Sequence, residues 1–164
     1  TNTMQTSKQY FKNLQILHGA LLFGQLSFLG LAYFIHSMVG GDKSLFGFVF
    51  TAQLIVGILA LSSLLVTTQV TKSQLQSIKQ KTTLKEKLEG YRSALLLKYA
   101  LLEGPSLFAS VCLLLSGHIF FLAMAVLIIV VFFIQKPTKA KTIADLKLSH
   151  KDQELLQNEE AIVM

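Results

Sequence analysis

The sequence predicts an all-α integral membrane protein with four transmembrane helices arranged as two antiparallel hairpins. Three observations lead there. Of the 164 residues, 52% are hydrophobic and only 15% charged, against about 25% charged in a soluble domain. The charges are unevenly spread: Lys, Arg, Asp and Glu are absent from 13–41 and from 44–71, and Lys98 and Glu103 are alone between 93 and 135. A hydrocarbon core about 30 Å thick needs roughly 20 apolar residues per helix. The basic residues flank these runs. A soluble enzyme, a Rossmann-type domain and a nucleic-acid-binding fold are excluded on these grounds. The net charge of +6 reflects the placement of basic residues beside spans and does not point to nucleic acid.

Each element follows in order. A polar arm ends in Tyr10-Phe11-Lys12, an aromatic and basic pair of the kind that anchors a helix at the interface. The first span covers about 14–35; it is too long for a signal-peptide core and is expected to stay in the membrane. Gly40-Gly41 marks a chain reversal near Asp42 and Lys43, and the second span covers about 45–66. Residues 67–92 form a basic loop with Lys72, Lys79, Lys81, Lys85, Lys87 and Arg92. Val70, Leu75, Ile78, Leu84 and Leu88 recur there at partly helical intervals, so both flanking spans should extend into it as helix. The third span is 93–115. Ser116-Gly117-His118 is a tight turn, and 119–134 is a short fourth span rich in β-branched and aromatic residues, which lipid forces into helix.

After Pro137 the tail, 136–164, is polar. Ser149-His150-Lys151-Asp152 resembles a capping box with Leu155 and Leu156 behind it, which predicts a short surface helix. The final residues read as frayed. No extramembrane segment is long enough to fold alone, so residues 1–164 are expected to form a single membrane domain. Basic residues gather at the arm, the central loop and the tail, which predicts cytoplasmic N and C termini in a bacterial inner membrane. The loop basics offer a surface for anionic lipid at about 1 kcal/mol per charge.

Shifting the chain by 80 residues aligns the first and third spans. Leu17, Ala20, Leu21, Leu22, Gly24 and Phe28 fall on Leu97, Ala100, Leu101, Leu102, Gly104 and Phe108. An internal duplication would relate the hairpins by an axis along the membrane normal and not by inverted symmetry.

Glu103 is the chemical outlier. It lies about 16 Å deeper than Arg92 at ~1.5 Å per residue, where an ionised carboxylate is costly unless paired or wet. Pro105 follows; lacking an N–H, it should kink the helix and free the Leu101 carbonyl. Gln53 and Gln25 come out near the same depth, so a Glu103–Gln53–Gln25 cluster is the candidate ion or proton site. Lys98 and His18, one on each repeat, are secondary polar residues at a shallower level. Gly19, Gly24, Gly30, Ala52, Gly57 and Ala60 suit close helix packing. The lone Cys112 is expected to be a small buried apolar residue. His36, His118 and Asp42 sit on the outer turns and make a weak metal set; neither metal, cofactor nor catalytic constellation is expected.

Arg92-Ser-Ala-Leu95-Leu96-Leu97-Lys-Tyr-Ala100-Leu-Leu-Glu103, within 92–114, resembles the carboxylate-bearing helix of ATP-synthase proteolipid (c-type) subunits. That resemblance implies reversible binding of a proton or cation by Glu103 in an oligomeric ring. The sparse glycines of 45–66 and the Gly104-Pro105 step depart from the family pattern. The whole chain resembles small four-span membrane proteins of Bacteroidota-type bacteria without assigned activity. A non-enzymatic structural or accessory subunit, forming a homo-oligomer or bound to other membrane subunits, is the expected role, with ion translocation through Glu103 as the alternative.

Overall fold

The computed structural model describes residues 5–40 and 46–163. Six helices follow one another: α1 (Ser7–Val39), α2 (Phe46–Lys79), α3 (Leu84–Ser116), α4 (Ile119–Ile134), α5 (Lys139–Leu146) and α6 (His150–Gln157). No strand occurs among the described residues; one isolated antiparallel bridge joins Thr6 and Ile162. The reversal expected at Gly41, Asp42 and Lys43 lies outside the described residues.

Three helices, α1, α2 and α3, are long and apolar enough to cross a membrane. α4 has the predicted limits, but its 16 residues span about 24 Å at ~1.5 Å per residue, short of a ~30 Å hydrocarbon core. It reaches spanning length only when counted together with α5, beyond Pro137. The first and third predicted spans lie inside longer helices because α1 and α3 begin in the polar arm and loop, and α2 runs on beyond the second span through Val70, Leu75 and Ile78.

Contacts group the chain into two compact units. The first joins Thr1–Gly19, Gln69–Lys98 and Lys136–Met164, and the second joins Ala20–Thr68 and Tyr99–Gln135. Every basic residue but Lys43, and every acidic residue but Asp42 and Glu103, belongs to the first unit. None of its three segments could fold alone. Together they bury Tyr10, Leu14, Leu88, Tyr91, Leu146 and Leu156.

In the second unit the core comprises Leu29 of α1, Ala52 and Val56 of α2, Ala109, Cys112 and Leu113 of α3, and Phe121, Ala125 and Ile129 of α4. Burial along α1 (Leu14, His18, Gln25, Leu29, Ala32) steps by three, four or seven, the spacing of a helix packed along a narrow seam, whereas α3 buries a broader face that includes Leu95, Tyr99, Leu102, Ser106, Ala109, Cys112 and Leu113. Of the positions related by the offset of 80, Phe11 and Tyr91, Leu14 and Ala94, Leu29 and Ala109, and Ala32 and Cys112 are buried in both copies, whereas buried Leu95, Tyr99, Ser106, Ser110 and Leu113 fall on exposed Gln15, Gly19, Leu26, Gly30 and Tyr33. Ala52 and Ala60 are buried as expected of packing positions. Gly19, Gly24 and Gly30 are instead exposed, with nothing within 4 Å of where a side chain would start. They lie off the buried seam of α1, Gly24 on one flank and Gly19 and Gly30 on the other.

Local capping explains the helix starts. Thr83 and Glu86 exchange backbone-to-side-chain bonds of 3.3 and 3.4 Å at the start of α3, a reciprocal capping box. Ser149 Oγ accepts the Asp152 N–H at the predicted α6 start. α5 has no counterpart in the sequence reading: Thr138 caps it through the Lys141 N–H, and left-handed Lys147 ends it.

The expectation of a frayed tail is overturned by backbone pairing. Ser7 N–H donates to Ala161 O at 2.9 Å, Lys8 N–H to Glu159 O at 3.1 Å and Val163 N–H to Gln5 O at 2.9 Å. Ser7 Oγ donates to Leu156 O, and Val163 is buried. Short-range composition could not reveal this, because the tail's partners lie at the opposite end of the chain. Lys8 Nζ and Glu159 pair at 3.0 Å. The hydrogen bond and charge of Lys8, with Lys139 further away, hold the Glu159 carboxyl below its usual range. The pair is therefore complete above the ordinary carboxylate range and is lost as pH falls through the lowered value. Acidification through that range should speed exchange of the Ser7 and Val163 amides beyond the intrinsic pH effect, and Glu159→Gln should abolish the excess.

Candidate functional site

Two hydrogen bonds set the register of α1 and α3. In the first unit Tyr10 Oη donates to Leu88 O at 2.8 Å, and in the second His36 Nδ1 donates to Leu114 O at 3.2 Å; each spans 78 residues. A constant offset means that the helices run parallel and in step. Counting eleven residues back from His36 and from Leu114 brings Gln25 level with Glu103.

These two residues meet different surroundings. Gln25 is 1% exposed, on the seam between Leu22 and Leu29, and neither atom of its amide has a hydrogen-bond partner. Glu103 is half-buried, and no hydrogen bond or ion pair joins it to any described residue. It borders the open side of α3, where Ala100 and Gly104 are exposed. One helical turn further, Ser106 is buried and its hydroxyl is also without a partner. Three polar groups thus lie within about one turn of a common level, none bonded to another. Buried polar groups in folded proteins are nearly always satisfied, by protein, water or an ion. Pro105 is buried beside them inside α3, which continues through it without a break, and Ser110 Oγ donates to Ser106 O at 2.9 Å in the next turn.

Gln53 does not join them through a hydrogen bond. Its Nε2 donates to His118 Nδ1 at 3.2 Å. The α3–α4 turn, which carries His118, competes successfully for it.

Lys98 and His18 lie in the first unit. His18 is buried and not a histidine at an open interface. The charges that act on Lys98 are Asp145 and Lys141. Asp145 also accepts from Tyr91 Oη at 3.0 Å, and Tyr91 and Lys98 are two turns apart on one side of α3. Lys98 therefore belongs with the tail helix α5. Lys87 pairs with Asp152 of α6 at 3.5 Å, both mostly shielded, so one of the loop lysines assigned to lipid is engaged within the chain.

His36 reaches the α3–α4 turn, its ring lying directly against Gly117. That neighbourhood contains two of the three residues considered for metal; Asp42 lies outside the described residues. Among the described residues no three His, Cys, Asp or Glu side chains are arranged to hold a metal ion. An apolar groove of about 300 Å³ is lined by Leu26, Leu29, Gly30, Tyr33 and Leu122, and none of the candidate polar residues lines it.

The unpartnered Ser106 hydroxyl was discoverable as the i+3 neighbour of Glu103. The Tyr91–Asp145 and Gln53–His118 pairs carry no sequence signal, being 54 and 65 residues apart. No protein-family model, curated protein or solved structure matches this chain.

Proposed function

We propose that this protein is a non-enzymatic integral membrane protein that serves as a structural or accessory subunit of a membrane assembly. In this reading four apolar segments, paired as two hairpins of duplicated origin, sit in a bacterial inner membrane. The termini and the basic first unit lie on the cytoplasmic side, against anionic lipid heads. The six identities at the offset of 80 support the duplication, and the collection of nearly all charges into one unit supports that orientation.

One observation carries the subunit role: Glu103 is half-buried at the border of the open side of α3, with no partner among the described residues. A carboxyl group facing lipid costs several kcal/mol. A hydrogen-bond donor on a helix of another subunit, or of a second copy, removes that cost. Exposed Ala100 and Gly104 allow a neighbouring backbone to come close. Purified in mild detergent, the protein should run as a stoichiometric homo- or hetero-complex. Glu103→Leu should dissociate it, whereas Glu103→Gln, which keeps a hydrogen-bonding group, should not. A monomeric wild type would overturn the proposal.

A second reading, proton or cation translocation at Glu103, is favoured by Gln25 and Ser106, whose buried polar atoms lack protein partners near the Glu103 level. Water or a cation there would satisfy them. Glu103→Gln would then preserve the complex but abolish flux in proteoliposomes. Gln25→Leu separates the cases in a thermal unfolding series. With no ligand at this level it should stabilise by about 1–3 kcal/mol, the cost of a buried unsatisfied polar group; with a bound ligand it should destabilise.

A further inference from the structure

His118 precedes α4 and closes its first turn: its Nδ1 accepts the Phe120 N–H at 3.3 Å. The same nitrogen accepts from the Gln53 amide of α2 at 3.2 Å. A backbone N–H can only donate, so Nδ1 must present a lone pair, and a neutral ring then carries its proton on Nε2. The side chain is exposed, open to proton exchange with solvent.

The groups around it are few. From α1 comes His36, its ring against Gly117 and its Nδ1–H directed to Leu114 O. α2 contributes Gln53. At the end of α3, Ser116 Oγ accepts the His118 N–H at 3.3 Å. α4 supplies the Phe121 ring, edge-on at 6.2 Å. Among the described residues named here, His36 is the other titratable group; Asp42 and Lys43 lie outside the described residues.

We propose that His118 is a proton-sensitive tie between α2 and α4. Neutral, it caps α4 and holds Gln53 with one lone pair. Protonated, Nδ1 becomes a donor: the Phe120 N–H loses its acceptor, and the Gln53 Nε2 bond is broken, so Gln53 must turn its amide to present Oε1 if contact is to be kept. The added positive charge also falls at the N-terminal end of α4, where the helix dipole opposes it. Acid thus frees the first turn of α4 from its cap and from the Gln53 Nε2 bond, whatever larger role the protein has.

The test is an isotope-edited NMR titration of the full chain in micelles or nanodiscs from pH 8 to pH 5. It follows the His118 ring, the Phe120 backbone amide and the Gln53 side-chain amide. The expected result is that all three shift with one midpoint. In His118→Asn, which retains a capping oxygen but does not titrate, the Phe120 amide should stay fixed. His36→Gln should leave the three-way correlation in place, which separates the two histidines. A His118 ring that titrates while either amide stays silent, a ring that does not titrate in this range, or a Phe120 shift that persists in His118→Asn would each overturn the proposal.

Discussion

Gly117→Ala should destabilise the protein by about 2–3 kcal/mol, read as a lowered unfolding midpoint in detergent. Two costs combine. Gly117 has φ +64°, a left-handed conformation that costs an L-residue about 1 kcal/mol or somewhat more. A methyl group there would also overlap Nε2 and Cε1 of His36. The ring must swing away, and its bond to Leu114 O, worth about 1 kcal/mol, goes with it. A double-mutant cycle separates the two. In a His36→Ala background the collision is gone, so Gly117→Ala should then cost only about 1 kcal/mol, from the backbone alone. Equal costs in both backgrounds would show that the His36 ring yields freely.

Leu156→Ala should be of similar or larger effect, about 2–5 kcal/mol, the range for truncating a buried leucine. Leu156 is fully buried, and its carbonyl receives the Ser7 hydroxyl. Losing its side chain removes the apolar anchor of α6 and leaves that bond without a fixed acceptor. The tail from Pro137 onward should become sensitive to protease while α2 and α3 remain protected. Leu155→Ala is the control: the same helix and the same chemical change, at a position 38% exposed, should cost well under 1 kcal/mol. Equal protease sensitivity of the two variants would mean that Leu156 does not hold the tail.

These two sites illustrate different degrees of legibility. The turn at Gly117 was visible as a Ser-Gly-His break between apolar runs, and α4 begins and ends where its hydropathy does. The capped start at Ser149 was legible for the same reason: capping is a contest among groups three residues apart. The inward face of α6 was not legible, because Leu155 and Leu156 are chemically alike and only docking separates them. α5 is not legible in the sequence because its eight residues are too few to show a helical period and its start rests on one threonine.

The candidate site divides along the same line. The depths of Glu103 and Gln25 follow from helical rise, and the α1–α3 register agrees with them. Gln53 has the right composition for that level but a different partner, because only the packing of α2 against the α3–α4 turn brings His118 within its reach. The glycines of α1 were read as packing positions from their size, yet the seam runs along another side of the helix.

By itself the sequence determined what transfer free energy controls: which stretches are apolar, where the apolar helices turn, and that the charges avoid those stretches. Those are sums over neighbouring residues, and each can be taken along the chain without knowing the fold. Only the tertiary structure decided which face of each helix is buried, that the tail pairs with the first residues of α1, and that Gln53 meets His118. It also decided that the Gln25 amide lies buried without a partner while Glu103 stands half-open beside Ala100 and Gly104. A hydrogen bond forms or fails over a few tenths of an ångström between residues remote in sequence, and helix register and rotation, not composition, set that distance.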